Sequence, residues 1–262
     1  MKLAVSNIAW AAEEDDLVYE LMKKYGFLGL EIAPTRIFSE NPYDRNAAAK
    51  RWSIELRNAY GFTIPSIQSI WYGRQEKIFG SVEERQSLID YTKRAIDFAV
   101  AIDCRNLVFG CPRNRNIPQG AEPDIGVKFF EEIADYAVKH GTIIGMEANP
   151  PIYNTNYIND TLSALELIEQ VNSGGFLLNL DVGTMIQNQE SVSELAGKVA
   201  RINHVHISEP ELRPIEERSI HVELKSILEE EGYGGFISIE MGRIDDITVL
   251  EKKMQYIRRV FD

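Results

Sequence analysis

Eight short apolar runs, each followed by a longer stretch with helical spacing, limit this chain more than any other feature. The runs lie at residues 3–8, 27–33, 63–70, 106–111, 142–148, 176–182, 202–208 and 236–241. Between them, apolar residues recur with the 3.6-residue period of an amphipathic helix. Leu17, Leu21 and Met22 mark the first such segment; Leu88, Tyr91, Ala95, Phe98 and Ala99 mark the third; Phe129, Phe130, Ile133 and Ala137 mark the fourth. Leu162, Leu165, Ile168 and Val171 mark the fifth, and Leu250, Met254, Ile257 and Val260 the last. Strands separated by helices pair in parallel through crossovers. With eight such units and no Pro- or Ser-rich linker, the pattern predicts an α/β fold: one (β/α)8 TIM barrel domain over residues 1–262, an ordinary size for that architecture. An open doubly wound sheet is the weaker alternative, because no Gly-rich phosphate loop follows the first run. Tyr25-Gly26, Tyr60-Gly61, His140-Gly141 and Gly174-Gly175 stand where helices hand over to strands, as left-handed helix ends require.

The connections are unequal. Residues 34–45, 71–82, 112–124, 149–160 and 209–220 all lead from a strand into a helix, whereas the helix-to-strand turns are only a few residues long. Long strand-to-helix loops belong to the face where barrel active sites form. Composition narrows the partners: 40 acids against 28 bases give a net charge of −12, which opposes nonspecific binding to nucleic acid. No apolar stretch reaches the ~18 residues of a membrane helix, and the start carries no signal-peptide pattern. The expectation is a cytoplasmic protein with a small-molecule substrate, no nucleic acid and no membrane; a homo-oligomer stays open. Cys104 and Cys111 form no metal-type or disulfide pattern. Cys104 reads as a small core residue, and Cys111 ends a strand where it could line a pocket.

Four runs in the second half end on a potential metal ligand: Glu147, Asp181, His206 and Glu240. An acid or imidazole closing a buried strand is costly to desolvate unless it pairs or binds a cation. Singly, each has a bland reading: Glu147 pairs with a rim Arg, Asp181 caps the turn before Met185, His206 is a satisfied core histidine, Glu240 is rim charge. Matched positions on four consecutive strands favour one site. Residues two apart in a strand face the same way, so Glu147 shares a face with Gly145 and Asn149, Asp181 with Asn179, His206 with His204, and Glu240 with Ser238. Three carboxylates and a neutral imidazole carry −3; a divalent cation would leave about −1, and without one a carboxylate should stay protonated. Mostly oxygen donors with one His suit Mn²⁺ or Mg²⁺, with Co²⁺ and Zn²⁺ also compatible.

Further pocket candidates follow from position. Glu31 ends the second run facing as Gly29 and Ala33 do, which predicts a polar role at the mouth. Trp71 and Tyr72 follow the third run, where an aromatic wall would pack on a sugar face or simply on the core. Trp10 has the same two readings, and Asn7 and Asn149 would bond substrate hydroxyls or loop backbone. His204, one step deeper than His206, reads as support rather than ligand.

The stretches Gly29-Leu30-Glu31-Ile32, Gly145-Met146-Glu147-Ala148-Asn149, Asn179-Leu180-Asp181-Val182-Gly183, His204-Val205-His206-Ile207-Ser208 and Gly232-Tyr233-Gly234-Gly235-Phe236-Ile237-Ser238-Ile239-Glu240 span the chain in order. In them the chain resembles the xylose isomerase-like TIM barrel superfamily, in particular its sugar phosphate isomerase/epimerase group. The resemblance implies that Glu147, Asp181, His206 and Glu240 hold one divalent metal, and that Glu147 and Glu240 also form an acid/base pair for proton abstraction next to a carbonyl. An enediolate formed that way serves epimerisation, aldose–ketose isomerisation or dehydration.

Two departures bear on substrate. Sugar epimerases of the group carry Asp-x-x-His on the sixth strand; here Thr184 follows Asp181 at that spacing. The usual Gly-rich, Asp-containing loop after the seventh strand is replaced by residues 209–221, where Arg213 or Arg218 would serve as the substrate-binding Arg and His221 would replace the Asp. The leading expectation is thus a metal-dependent isomerase or epimerase of a small sugar or keto-polyol. The alternatives are a dehydratase of the same fold, an endonuclease IV-like phosphodiesterase, or a non-catalytic sugar-binding barrel. Only four histidines, His140, His204, His206 and His221, are present, and none lies near the early strands where that nuclease needs them.

Overall fold

The computed structural model describes residues 1–262. Seven strands are regular: β1 (Lys2–Ser6), β2 (Gly29–Glu31), β3 (Asn106–Phe109), β4 (Ile143–Met146), β5 (Phe176–Asp181), β6 (Ile202–Ile207) and β7 (Phe236–Ile239). All neighbours pair in parallel, in the order β2-β1-β7-β6-β5-β4-β3. The first strand therefore lies beside the last, as in a sheet curling towards a TIM barrel. Strands such as β3 are buried along their whole length, which is why they read as continuous apolar runs rather than alternating ones.

The third expected strand, residues 63–70, is a correction. It makes only isolated bridges, to Gly29, Ile32 and Leu107. Pro65 has no N–H to donate, and Ser69 turns into the left-handed region at φ 54°. The segment still touches both sheet edges. Thr63 O accepts from Leu30 N and Gln68 N donates to Ile32 O, each at 2.9 Å; Ile67 N donates to Asn106 O at 2.9 Å, and Ile67 O accepts from Val108 N at 2.8 Å.

Nine helices accompany the strands: α1 (Asp15–Lys24), α2 (Pro34–Ile37), α3 (Asn46–Tyr60), α4 (Val82–Ala101), α5 (Asp124–Lys139), α6 (Thr161–Val171), α7 (Val182–Asn188), α8 (Ser219–Glu230) and α9 (Ile247–Phe261). Reciprocal caps start two of them, Ser81 with Glu84 on α4 and Asp160 with Ser163 on α6. The buried face of α1 is Val18, Tyr19 and Met22, whereas Leu17, expected on it, is 54% exposed. Gly26, Gly61 and Gly141 take the expected left-handed turns, with φ of 72°, 80° and 74°. After α6, Asn172 (φ 46°) supplies that turn instead, and Gly175 serves a close approach: a Cβ there would stand 2.1 Å from Ala134 O. One continuous apolar core runs from Leu3 to Phe261 and fixes the strand ends relative to one another. No helix is long and apolar enough to cross a membrane.

Candidate metal centre and cleft

Parallel strands in register bring their carboxyl ends to one rim. Asp181 pairs across from His206, and His206 from Ser238, two residues before Glu240. Glu147 follows β4 directly, and its N–H bonds Phe109 O at 3.1 Å. As a result one donor atom from each of Glu147, Asp181, His206 and Glu240 lies within 4.8 Å of all the others. Opposite ligands in an octahedral shell stand about 4.2 Å apart, so the set is spaced for a single cation. His206 is wholly buried, Asp181 partly open, and Glu147 and Glu240 are buried but reach the surface of a cleft.

The imidazole is held from both sides. Its Nδ1 lies 3.0 Å from Glu147 Oε1 and 3.2 Å from Glu240 Oε2, and its Nε2 lies 2.9 Å from Glu31 Oε2. A proton on Nε2 directed at Glu31 leaves Nδ1 as a lone pair facing the acids, the arrangement of metal-binding histidines backed by a carboxylate. The donor chemistry and spacing both fit a divalent ion. Taken alone, the groups are strained electrostatically. Burial opposes the His206 charge, yet Glu240 and Glu31 hold its pKa well above the ordinary imidazole range. Burial pushes Glu240 up to about 7; His206 opposes the rise, while Glu147 and Asp181 add to it. Burial and the charge of Glu147 also raise Asp181, against hydrogen bonds from Ser208 and Thr184. One acid kept protonated near neutrality is what three crowded carboxylates require.

Asp181 combines two roles weighed from the sequence. Its Oδ2 accepts from Thr184 N at 2.8 Å and so caps α7, with Thr184 Oγ1 also at 2.8 Å and the Ser208 hydroxyl on Oδ1. It still presents an oxygen to the cluster. Thr184 is 1% exposed and turned to Asp181 and Ala148 O rather than to open space.

Beside the cluster opens a cleft of about 230 Å³ lined by Gln68, Ser69, Val108, Gly110, Cys111, Pro112, Glu147, Asn149, Tyr153, Asp181, Leu212 and Glu240. A larger cavity of about 410 Å³ at the opposite end of the sheet, near Lys2, Arg105 and Phe236, has a single acid in its lining, Asp103, and none of the four clustered residues; the acid cluster borders the smaller one. Of the five residues expected to contact substrate, only Asn149 lines the cleft. Glu31 is fully buried beneath it; burial would raise its pKa, but the two histidines hold it well below the usual carboxylate range. His204 Nε2 is 2.9 Å from the same Glu31 oxygen, without hydrogen-bond geometry. Trp71 is 3% exposed, bonded to Thr92 Oγ1 at 2.8 Å and packed edge-on to Phe109 and Phe129, so the core reading applies. Arg213 is exposed and bonds Pro210 O. His221 is buried against Tyr256 Oη, 2.8 Å away, and burial pushes its pKa down to about 4. Arg218, the alternative cation, grips the buried Glu209 at 2.7 and 2.8 Å.

Several contributors escaped the sequence reading. Asn179 Nδ2 donates to Glu147 Oε1 at 2.9 Å, and Gln68 links Ser6 Oγ (2.7 Å) to Glu31 Oε1 (3.3 Å) at the cleft wall. Asn179 and Ser208 had a signal, each two residues from a member of the cluster on the same strand face. Arg115 had none: an arginine in a Pro- and Asn-rich loop reads as surface, yet it is completely buried. Burial lowers its pKa to about 10, so it stays charged at neutral pH.

Fold and rim together define a parallel α/β protein with an acid–imidazole cluster, spaced for one cation, at its strand carboxyl ends. Residues 19–260 match the family model of the xylose isomerase-like TIM barrel, and the chain belongs to that family. Similar solved structures include D-psicose 3-epimerase from Clostridium cellulolyticum H10, crystallised with D-tagatose (18% identity, all of both chains covered, TM-score 0.77). Others are a 3-keto-D-glucoside 4-epimerase from E. coli (18%, 99% of both chains, 0.74) and a family 2 AP endonuclease from Brucella melitensis (21%, all of both chains, 0.76). At these identities the likeness establishes fold. No curated protein sequence matches the chain.

Proposed function

We propose that residues 1–262 form one closed (β/α)8 barrel, with segment 63–68 as its eighth strand, and that it is a divalent-metal-dependent isomerase or epimerase of a small sugar or keto-polyol. The observation that carries this reading is the meeting of Glu147, Asp181, His206 and Glu240 within 4.8 Å at the wall of a cleft. The sugar epimerases among the structural relatives support the reaction class. A cleft of about 230 Å³ falls below the ~300–1,000 Å³ of drug-sized sites and suits a monosaccharide.

Glu147, Asp181, His206 and Glu240 would hold the ion, Mn²⁺ or Mg²⁺ by donor type. When bound, it supplies a Lewis acid for a carbonyl and its neighbouring hydroxyl. Glu147 and Glu240 act as the proton carriers: one removes the C–H proton next to the carbonyl and the other returns one. Return from the opposite face inverts the centre; return to the neighbouring carbon isomerises the sugar. Asn149 and Gln68 offer amides to hydroxyls, and Val108, Pro112 and Leu212 give the cleft an apolar side that limits water.

Incubating Mn²⁺-loaded protein with free keto-sugars in D₂O and following the spectrum by NMR tests the reading. Metal-dependent deuterium uptake next to the carbonyl is expected. Loss of water without exchange into recovered substrate would assign a dehydratase instead. No exchange and no product across ketohexoses, ketopentoses and inososes would sink the enolisation chemistry.

A further inference from the structure

Arg115 is the least expected side chain in the molecule. It is completely buried, yet it belongs to none of the molecule's ion pairs. An interior guanidinium without an acid partner is costly unless its donors are well used. Nη1 donates to Glu147 O at 2.8 Å, Nη2 donates to Asn149 Oδ1 at 3.0 Å and to Ile158 O at 3.1 Å, and Nε has no partner.

The contact with Asn149 has a consequence. A guanidinium only donates, so it fixes which end of the Asn149 amide faces it: the oxygen. The amide nitrogen is then directed at Glu147 Oε2, 3.4 Å away. Asn179 places its own amide nitrogen on Glu147 Oε1 at 2.9 Å, so each carboxylate oxygen of Glu147 faces one amide donor. Gly110 completes the cradle, because a Cβ there would lie 2.8 Å from Glu147 Oε2. With Asn149 flipped, an amide oxygen would oppose a carboxylate oxygen and Glu147 would turn away.

We propose that Arg115 is a positioning residue that locks Asn149 and thereby aims the Glu147 carboxylate at the metal centre. The inference rests on the reading of Glu147 as a metal ligand. Lysine keeps the charge but, as a compact point charge, cannot reproduce the planar fork, so it separates positioning from mere charge.

Mn²⁺ titration of metal-stripped wild type, Arg115→Lys and Asn149→Ala, with the melting of each stripped protein followed by circular dichroism, tests the proposal. Folded Arg115→Lys is expected to bind Mn²⁺ about 10- to 100-fold more weakly, the usual range for supporting-shell changes. Asn149→Ala should weaken binding more than threefold, with the double variant little worse than Arg115→Lys because both act along one path. Folded Arg115→Lys within threefold of wild type overturns the proposal. If Arg115→Lys does not fold, Asn149→Ala decides by the same threefold limit. Wild type that takes up no Mn²⁺ overturns the metal reading and this inference together, whereas wild-type binding with unaffected variants overturns this inference alone.

Discussion

Glu31→Gln removes the charge behind His206 while nearly preserving volume. The Glu31 carboxylate is fully buried and accepts from His206 Nε2 at 2.9 Å. Hydrogen bonds to charged groups contribute roughly 1.5–3 kcal/mol, against about 0.5–1.5 for neutral ones, so the substitution forfeits about 1–2 kcal/mol of support for the imidazole. It also frees the Gln amide to present its NH₂ to the ring, which sets Nε2 as acceptor and puts the proton on Nδ1, where a metal would bind. Both effects fall on metal affinity. At 1.4 kcal/mol per factor of ten, the first alone weakens Mn²⁺ binding roughly 5- to 30-fold, and the tautomer change extends that towards 100-fold. The assay is calorimetric Mn²⁺ titration of the stripped protein, with melting of the stripped form as control for folding. A folded Glu31→Gln variant whose Kd for Mn²⁺ stays within twofold of wild type would refute the reasoning that Glu31 orients the ligand histidine.

Other outcomes follow from the same geometry. Glu147→Gln and Glu240→Gln should each abolish D₂O exchange while the far-ultraviolet spectrum stays native; full activity in both would remove the acid/base assignment. Gly110→Ala should lower Mn²⁺ affinity, since its Cβ would stand 2.8 Å from Glu147 Oε2; unchanged affinity would show that Glu147 is free to move. Arg218→Met leaves Glu209, 1% exposed, without its cation. Because Arg218 is itself 30% exposed, roughly 2–3 kcal/mol of destabilisation is expected in urea, below the full range for a buried pair, with Glu209→Gln in the same chain restoring part of it. For pH, Glu240 is an acid raised to about 7, so ionising it disfavours the folded metal-free form as pH rises from its unfolded value of ~4.5 towards 7. His206 is a base raised well above its ordinary value; its contribution is complete below ~6.5 and is lost as pH climbs through the raised value. Both make the stripped protein weaker at pH 8 than at pH 6, while metal binding strengthens as ligands lose protons. The rise in melting temperature on adding Mn²⁺ should therefore be larger at pH 8; an equal or smaller rise would contradict this.

Periodicity made the alternation of strands and helices legible, because burial on both strand faces and on one helix face is a local property of the chain. Residues 63–70 defeated it: the apolar pattern is strand-like, but Pro65 and the left-handed Ser69 prevent a continuous ladder. The meeting of Glu147, Asp181, His206 and Glu240 was legible because parallel register carries equivalent strand ends to one rim. The side chains around that cluster were not. Whether Glu31 faces the mouth or the back of His206 depends on depth within the sheet, which period two does not encode. Arg115, Gln68 and Leu212 reach the site through loop paths with left-handed residues at Ser69, Cys111, Glu211 and Leu212, and no spacing rule foretells such turns. His221 was misplaced for a related reason: the chain after β6 is drawn off by the Glu209–Arg218 pair, so α8 carries His221 against α9 rather than over the cleft.

Elemental analysis of the purified protein, after stripping with a chelator, supplementation with Mn²⁺ and removal of excess ion, tests the central claim most directly. Glu147, Asp181, His206 and Glu240 converging on one point predict close to one Mn²⁺ per chain, lost in Asp181→Ala and His206→Ala. A stoichiometry near zero in the folded wild-type protein would contradict it.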